Sequence, residues 1–302
     1  MIKREYRIDS KNAVVAFEHQ PPQGACGQVV FVHGLEGSAD AGYIASFATE
    51  ALCRGFGVHR LNLRTCGGTE ELCETMYHSG LTGDTRLVLE KLRRRSLAPL
   101  FLVGFSLGGN IVLKLAGELG QTDLLAGVVA VSTPIDLARS VRSIDKPGNF
   151  LYVRRFLDRL RQRVRKKSLT SPELYSQEGL NEVKSIWEFD DRFTAPLFGF
   201  GTAANYYETQ SAKHFLSAIR VPALVITAKD DPLVPFEIYQ NPAFETNPAL
   251  TLVATEHGGH LGYLAKRFPR FWLDHFGMDW IEQHTPPLDL FQGTKSRQFA
   301  SA

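Results

Sequence analysis

The chain has 302 residues and a mass of 33.7 kDa, enough for one large domain with a sizeable core. Hydrophobic residues make up 44% and charged residues 22% of the sequence, so neither a disordered nor a fibrous protein is expected. The 34 Lys and Arg residues are balanced by 32 Asp and Glu residues, and a net charge of +2 argues against a nucleic-acid-binding protein.

The cysteines and the N-terminal sequence indicate in which cellular compartment the protein is expected. Cys26, Cys53, Cys66 and Cys73 form neither a C-x-x-C pair nor a zinc-like spacing with histidine. The charged N-terminus lacks the apolar run of a signal peptide, and no apolar stretch approaches the roughly 18 residues of a membrane span. We therefore expect a reduced, cytoplasmic protein, although an even number of cysteines also permits a disulfide.

Short apolar runs alternate with segments of helical periodicity, which predicts a mostly parallel sheet covered by helices on both faces. The predicted strands are residues 28–32, 58–63, 100–103, 128–131, 223–227 and 250–254. The predicted helices are residues 43–53, 85–95, 107–119 and 271–283.

This alternation stops between residues 134 and 219, where aromatic and charged residues follow a helical period. Because strands resume afterwards, we expect a helical cap at 134–219, inserted into a single domain of residues 1–302. The polar tail after Pro286 is expected to be poorly ordered.

Within the predicted cap, residues 152–167 contain eight basic residues and one acidic residue. Five apolar residues fall on one helical face, namely Val153, Phe156, Leu157, Leu160 and Val164. A cap helix with a solvated charged face is the favoured interpretation. Contact with an anionic membrane surface is the alternative.

The most informative motif is G-x-S-x-G at residues 104–108. The pattern is common by chance, but here it lies between a predicted buried strand and a predicted helix. A serine on such a turn projects above the sheet at a helix N-terminus, where an anion is favoured. We therefore predict that Ser106 is a catalytic nucleophile.

A serine nucleophile needs a base, and two histidines follow the last predicted strand. His260 is favoured because the preceding glycine pair forms a flexible loop that can reach Ser106. His257, at the beginning of the same loop, is the alternative.

The acid that orients this base is expected after the strand at 223–227, where two aspartates are adjacent. Asp231 is favoured because the following proline fixes a turn that aims the side chain over the sheet. The alternative is Asp230 as the acid, with Asp231 capping the next helix. The order Ser106, Asp231, His260 is that of the α/β-hydrolases.

An oxyanion hole should accompany the nucleophile. Residues 33–37 follow the first predicted strand, and the backbone N–H groups of Leu35 and Leu107 are predicted to hold the oxyanion. His33 is expected to orient this loop through its own hydrogen bonds.

Two further polar groups have competing interpretations. Asn62, Arg64, His78 and Asp84 follow the second predicted strand; His78 and Arg64 could line the floor of the acyl site, but a hydrogen-bonded loop that supports the serine is favoured. The Asp-Asp-Arg cluster at residues 190–192 is interpreted as a structural salt-bridge cluster rather than a metal site.

Several longer strings together resemble the YheT-like branch of the α/β-hydrolases. They are His-Gly-Leu-Glu-Gly at 33–37, Asn-Leu-Arg at 62–64, Tyr-His-Ser-Gly at 77–80, Gly-Phe-Ser-Leu-Gly-Gly-Asn at 104–110, Trp-Glu-Phe-Asp-Asp-Arg-Phe-Thr-Ala-Pro at 187–196, Tyr-Tyr at 206–207, Asp-Asp-Pro at 230–232 and Glu-His-Gly-Gly-His-Leu-Gly at 256–262. This branch is similar to the abhydrolase-domain lipases and esterases, and the resemblance implies a charge relay of Ser106, Asp231 and His260. One departure is Thr65, where the branch usually has glycine between Arg64 and Cys66.

We therefore predict an α/β-hydrolase fold and a serine hydrolase that cleaves carboxylic esters, with short-chain or lipid acyl groups, through an acyl-serine intermediate. The expected partner is a small ester, with no metal or organic cofactor and no nucleic acid. An acyltransferase using the same site and a catalytically inactive binding protein are the alternatives.

Overall fold

A computed structural model of the chain describes residues 1–286. The expectation of disorder after Pro286 lies outside the described residues. The eight strands are β1 (Ile2–Arg7), β2 (Ala13–His19), β3 (Gln28–Val32), β4 (Gly57–Asn62), β5 (Leu100–Phe105), β6 (Gly127–Val131), β7 (Ala223–Ala228) and β8 (Leu250–Thr255). The α-helices are α1 (Gly42–Cys53), α2 (Gly83–Arg95), α3 (Leu107–Leu119), α4 (Leu137–Ile144), α5 (Phe150–Thr170), α6 (Ile186–Phe189), α7 (Ala195–Leu197), α8 (Ala203–Gln210), α9 (Ala243–Thr246) and α10 (Trp272–Gln283).

The eight strands of residues 1–286 form one sheet in the order β1-β2-β4-β3-β5-β6-β7-β8. From β4 to β8 every neighbouring pair is parallel, whereas β1–β2 and β2–β4 are antiparallel. The carboxyl ends of β3, β5, β7 and β8 therefore meet at one edge of the sheet, which is where open α/β sheets place their binding sites.

The six predicted strands and the four predicted helices all occur, with ends that differ by at most two residues. Strands β1 and β2 were not predicted. In β1 only Tyr6 is buried, because this strand lies at the edge of the sheet and its alternate residues face solvent. Strand β2 was missed although its four buried apolar residues, 13–16, equal in number those of the predicted strand β3; it pairs with β1 on one side and β4 on the other.

Helices cover both faces of the sheet. On one face α2 and α3 pack against the inward side chains of β3 to β7, with Val88, Leu89 and Ile111 fully buried. On the other face α1 and α10 pack together, with Phe47 and Ile281 in the core. Each such side chain stabilises the fold by roughly 1.5–3 kcal/mol, so the sheet is a rigid support for the loops at its edge.

Between β6 and β7 the chain forms helices and no strand. We call this segment, residues 132–222, the cap. Its own apolar cluster includes Leu157, Val164, Phe189 and Tyr207, and it covers the edge of the sheet at which the parallel strands end. The exact boundaries at 134 and 219 and the single-domain organisation stay predictions.

Candidate active site

Ser106 alone separates β5 from α3. Its backbone angles are φ 51° and ψ −120°, in a region of positive φ that L-residues rarely adopt. Its N–H donates to the carbonyl oxygen of Val131 at 2.8 Å, which ties the turn to β6. The hydroxyl is therefore held above the sheet at the N-terminus of α3, where the helix dipole favours negative charge.

Glycines make this turn possible. A Cβ atom at Gly104 would lie 2.4 Å from the carbonyl oxygen of Gly108, and one at Gly108 would lie 2.3 Å from that of Val32. At Gly34 a Cβ atom would come within 3.1 Å of the Cβ of Ser106. The two glycines of the G-x-S-x-G pattern are thus required by the close approach of β5, α3 and the loop after β3.

Three side chains from separate loops form a hydrogen-bonded chain at this turn. Ser106 Oγ lies 2.9 Å from His260 Nε2, and His260 Nδ1 lies 2.9 Å from Asp231 Oδ2. The Asp231 side chain is fully buried, whereas that of His260 is 16% exposed. With the proton on Nδ1 donated to Asp231, Nε2 is free to accept the proton of Ser106.

Asp231 is also held by its own turn. Its Oδ1 accepts hydrogen bonds from the backbone N–H groups of Leu233 at 2.9 Å and Val234 at 3.1 Å. The alternative assignment required Asp231 to cap the next helix, but the next helical turn, residues 236–239, has no side-chain cap. The carboxylate of Asp231 therefore holds its own turn with Oδ1 and contacts His260 with Oδ2.

Asp230 anchors the loop that carries His260. Its Oδ1 accepts hydrogen bonds from the backbone N–H groups of Gly258 at 2.9 Å and Gly259 at 2.8 Å. The hydrogen bond from Gly259 is the main cause that lowers the pKa of Asp230. His257, whose side chain is 90% exposed, contacts Asp230 at 3.2 Å and not the serine.

The backbone N–H groups of Leu35 and Leu107 are available at the serine. Leu107 is the first residue of α3, and Leu35 lines the same cavity as Ser106. Neither N–H donates to an acceptor within residues 1–286, whereas the neighbouring N–H of Gly34 donates to Tyr43 and that of Glu36 to Tyr77. The loop thus leaves one donor unused beside the serine.

His33 fixes the base of this loop. Its Nε2 accepts a hydrogen bond from the N–H of Leu63 at 3.1 Å, so the ring proton is on Nδ1, which donates to the carbonyl of Gly34 at 2.8 Å. Complete burial lowers the pKa of His33 to about 4, so the ring is neutral at pH 7. It therefore joins β3 to the end of β4.

An inner pocket extends from Ser106 into the space between sheet and cap. Most of its wall is apolar and comes from helices α4, α5 and α6, through Leu137, Val141, Ile144, Leu160, Ile186 and Phe189. Its polar lining includes His78, Ser79 and Asp190. A narrow apolar pocket of this kind suits a hydrocarbon chain.

A second cavity, which we call the open groove, is lined by both Ser106 and His260. One wall is the loop after β3, and the other is α5, which contributes Arg155, Arg159 and Lys166. Unlike the inner pocket, the open groove is wide, polar and accessible to solvent.

The four polar residues near β4 have different roles. Arg64 pairs with Asp84 through two hydrogen bonds of 2.6 and 2.7 Å, and Asn62 accepts a hydrogen bond from the N–H of Ala39. These three support the loops, as favoured. His78 instead lines the inner pocket, where burial lowers its pKa to about 3.

The interpretation of residues 190–192 as a salt-bridge cluster was wrong. Arg192 pairs with Glu182, while Asp191 accepts a hydrogen bond from the N–H of Ala203. Asp190 faces the inner pocket and accepts a hydrogen bond from the hydroxyl of Tyr207. The three side chains point to separate partners because they lie on a helical segment in which adjacent residues face different directions.

One pair at the site was not found from the sequence. Arg163 on α5 contacts the carboxylate of Glu36, with Nη2 and Oε2 2.8 Å apart, and both side chains are at least 90% buried. Arg163 also donates to Thr65 at Oγ1 and, very closely, at the carbonyl oxygen. Glu36 follows Leu35 and has φ 55°, so these contacts fix the loop beside the serine. Only the fold brings together residues 127 positions apart.

The apolar face of α5 is buried within the cap. Val153, Leu157, Leu160 and Val164 belong to the cap cluster, and Phe156 packs against it. The interpretation of α5 as a cap helix, with its apolar face buried and its charged face in solvent, predicts this arrangement. Among residues 1–286, no helix is both long enough and apolar enough to cross a membrane. The same residues contain no group of three or more side chains suited to hold a metal ion.

Residues 27–266 match the protein family described as alpha/beta hydrolase fold. The chain belongs to this family. The predicted fold class is thereby confirmed, since the hydrolase has the expected sheet with helices on both faces and the helical cap.

Among curated relatives, the hydrolase is 32% identical to YheT of Escherichia coli (strain K12), named as an inferred esterase, over 87% of this chain and 77% of that protein. It is 28% identical to monoacylglycerol lipase of Saccharomyces cerevisiae, over 81% of this chain and 56% of that protein. It is 29% identical to phospholipase ABHD3 of Mus musculus, over 80% of this chain and 59% of that protein. The resemblance to the YheT-like branch is confirmed, but the hydrolase spans less than two thirds of the two eukaryotic relatives.

Solved structures agree in fold. The esterase Pf2001 of Pyrococcus furiosus superposes with a TM-score of 0.59 at 16% identity, covering 92% of this chain and 90% of that chain. Est1E of Butyrivibrio proteoclasticus, solved with ferulic acid, also gives 0.59, at 14% identity, covering 92% of this chain and 99% of that chain.

Proposed function

We propose that this hydrolase cleaves carboxylic esters, with Ser106 as nucleophile, His260 as base and acid, and Asp231 as the residue that orients His260. The observation that carries the proposal is the pair of 2.9 Å contacts that link the three side chains. A serine hydroxyl is a weak nucleophile at neutral pH unless a base lies within hydrogen-bond distance. The names of the relatives, which include an esterase and two lipases, agree with an ester substrate.

In the first half of the reaction, Ser106 Oγ attacks the ester carbonyl while its proton passes to His260 Nε2. The carboxylate of Asp231 stabilises the imidazolium that forms. The N–H groups of Leu35 and Leu107 donate to the oxyanion of the tetrahedral intermediate. When the carbon–oxygen bond to the alcohol breaks, His260 returns its proton to the leaving oxygen, and an acyl-serine remains.

In the second half, water takes the place of the alcohol. His260 accepts a proton from the water as the water oxygen attacks the acyl carbonyl, and the same two N–H groups hold the oxyanion. The bond to Ser106 then breaks, His260 returns the proton to Oγ, and a carboxylic acid leaves. Each proton is returned, so no cofactor enters the cycle.

We expect the two cavities to bind different parts of the substrate. The acyl chain is expected in the inner pocket because its wall is apolar. The alcohol is expected in the open groove, because the group that protonates the leaving oxygen, His260, belongs to that cavity.

A fluorophosphonate probe tests the proposal. We expect the probe to label the folded protein and the label to be lost in Ser106→Ala, while the matched variant of an exposed serine, Ser217→Ala, is labelled as the wild type is. Hydrolysis of a p-nitrophenyl ester should fall by roughly three orders of magnitude or more in Ser106→Ala and in His260→Ala. A folded wild-type protein that takes no label, or a variant that keeps a tenth of wild-type kcat, would contradict the assignment.

Transfer of the acyl group to an alcohol is the second candidate. A relative of Saccharomyces cerevisiae that is 32% identical over 79% of this chain and 58% of its own length is named as a fatty acid ethyl ester synthase and esterase. The open groove gives an alcohol access to the acyl-serine. If the acyl group is transferred to alcohols, added ethanol should give a ratio of ethyl ester to acid that exceeds the ratio of the ethanol and water concentrations.

A further inference from the structure

The open groove is lined by more basic than acidic side chains. Its acids are engaged, since Glu36 pairs with Arg163 at 2.8 Å and Glu70 pairs with Lys166 at 2.9 Å. The third acid, Asp40, lies 3.3 Å from Arg60 outside the groove. Among the residues that the structure describes, the remaining two cations of the groove, both on α5, therefore have no carboxylate partner.

These two cations are Arg155 and Arg159. They lie four residues apart on α5, so they are neighbours on one face of the helix, and both line the groove that contains His260. Within residues 1–286, Arg155 takes part in no ion pair or side-chain hydrogen bond, and Arg159 donates only to the carbonyl oxygen of Glu36, at 2.8 Å. Both are exposed, so their remaining donors face the solvent-filled groove.

The position of these arginines matters because of where the leaving group must lie. The alcohol oxygen has to be within reach of His260, and the groove is the cavity that holds both His260 and the arginines. An alcohol that continues from its oxygen into the groove therefore passes α5. A guanidinium offers planar paired donors that match the oxygens of a phosphate or a carboxylate.

We propose that the open groove is an anion-binding subsite for the alcohol part of the substrate, with Arg155 as its principal contact and Arg159 beside it. The preferred substrates are esters whose alcohol carries a phosphate or a carboxylate group. This inference rests on the proposed ester hydrolysis and adds to it the chemical class of the leaving group.

The same arginines could act instead by drawing the protein to a negatively charged lipid surface, because Phe150, Leu151 and Tyr152 are exposed at the start of α5. The subsite is favoured because Arg155 lines the cavity of the serine. Short-chain, fully dissolved substrates separate the two explanations, since no surface is present.

The experiment compares three dissolved butyrate esters at one ionic strength: 1-butyrylglycerol, its 3-phosphate and the butyrate ester of 3-hydroxypropanoate. We expect kcat/KM for the phosphate ester to exceed that for 1-butyrylglycerol by about 10-fold at 50 mM salt, and the ratio to fall at 500 mM. The carboxylate ester shows whether the groove recognises phosphate or negative charge in general.

Variants of Arg155 test the contact. Arg155→Gln should lower the phosphate-to-neutral ratio about 5-fold, and the charge reversal Arg155→Glu should lower it further. Arg154→Gln is the matched control, because Arg154 carries the same charge on the same helix turn but does not line the groove, and it should leave the ratio unchanged. Equal effects at positions 154 and 155 would indicate a general surface field and overturn the subsite.

A second measurement does not need turnover. Glycerol 3-phosphate should slow fluorophosphonate labelling of the wild type, glycerol should not, and Arg155→Glu should remove the protection. Equal kcat/KM values for charged and neutral esters, or a preference that arises only on anionic vesicles, would overturn the inference. In either case normal labelling and hydrolysis of 1-butyrylglycerol would leave the proposed function intact, whereas loss of both would reject the proposed function itself.

Discussion

The guanidinium of Arg163 and the carboxylate of Glu36 form a buried ion pair that joins α5 of the cap to the loop after β3. The hydroxyl of Tyr77 donates to the same carboxylate at 3.0 Å, and Arg159 donates to the carbonyl oxygen of Glu36. Because Leu35 directly precedes Glu36, the cap and the proposed oxyanion hole are mechanically connected.

We predict that Arg163→Met lowers kcat about 10-fold or more with a smaller change in KM, because the N–H of Leu35 is no longer held in place for the transition state. The unpaired carboxylate of Glu36 should also cost about 3–5 kcal/mol of stability. Steady-state kinetics and thermal melts measure both effects. Arg165→Met, an exposed change on the same helix, is the control. A lower melting temperature with unchanged kcat would limit the pair to a structural role.

The two adjacent aspartates should respond differently to the same change. Asp231→Asn can present the wrong tautomer of His260, which can cost about four orders of magnitude in kcat, with little change in melting temperature. Asp230→Asn should act mainly on stability, through the hydrogen bonds to Gly258 and Gly259. Kinetics and thermal melts on both variants decide the matter. An inactive Asp230→Asn beside an active Asp231→Asn would move the assignment by one residue.

Thr65 has φ 60° at the position where the YheT-like branch usually has glycine. Its hydroxyl accepts a hydrogen bond from Arg163 at 2.8 Å, which offsets part of the conformational cost. Thr65→Ala keeps the positive φ and loses the hydroxyl, whereas Thr65→Gly also removes the strain. We therefore expect the glycine variant to be more stable than the alanine variant by about 1 kcal/mol, as measured by chemical denaturation. At Thr49, an exposed residue within α1, the alanine variant should instead be more stable than the glycine variant. The same order at both positions would contradict this account.

Asp190 should make stability depend on pH. Burial raises its pKa to about 6, so between about pH 4 and pH 6 the folded protein binds a proton that the unfolded chain does not. The free energy of unfolding therefore falls as pH rises through this window. Asp190→Asn does not titrate, so its stability relative to wild type should increase by up to about 2 kcal/mol from pH 4 to pH 7. Denaturation of wild type and Asp190→Asn at both pH values measures this, and an equal difference in stability at pH 4 and pH 7 would contradict it.

Local pattern was enough for the parallel part of the sheet. Strands β3, β5, β6 and β7 are mostly apolar and fully buried because helices cover both faces of the sheet, and such apolar runs can be recognised in the sequence. Strand β1 leaves none, since five of its six residues are not buried, and its strand conformation depends on pairing with β2. The branch resemblance covers residues 30–283 and therefore also missed it.

By itself the sequence determined the serine turn, the fold and the candidate residues at the ends of the strands. The reason is steric and local: only glycine fits at positions 104 and 108, and parallel strands bring their carboxyl ends to one edge. Only the tertiary structure decided which of two chemically identical aspartates contacts His260, because both follow the same strand and their directions depend on the turn through Val234. It also decided the pairing of Arg163 with Glu36 and the unmatched charge of Arg155, since burial and ion pairing depend on what lies opposite in space.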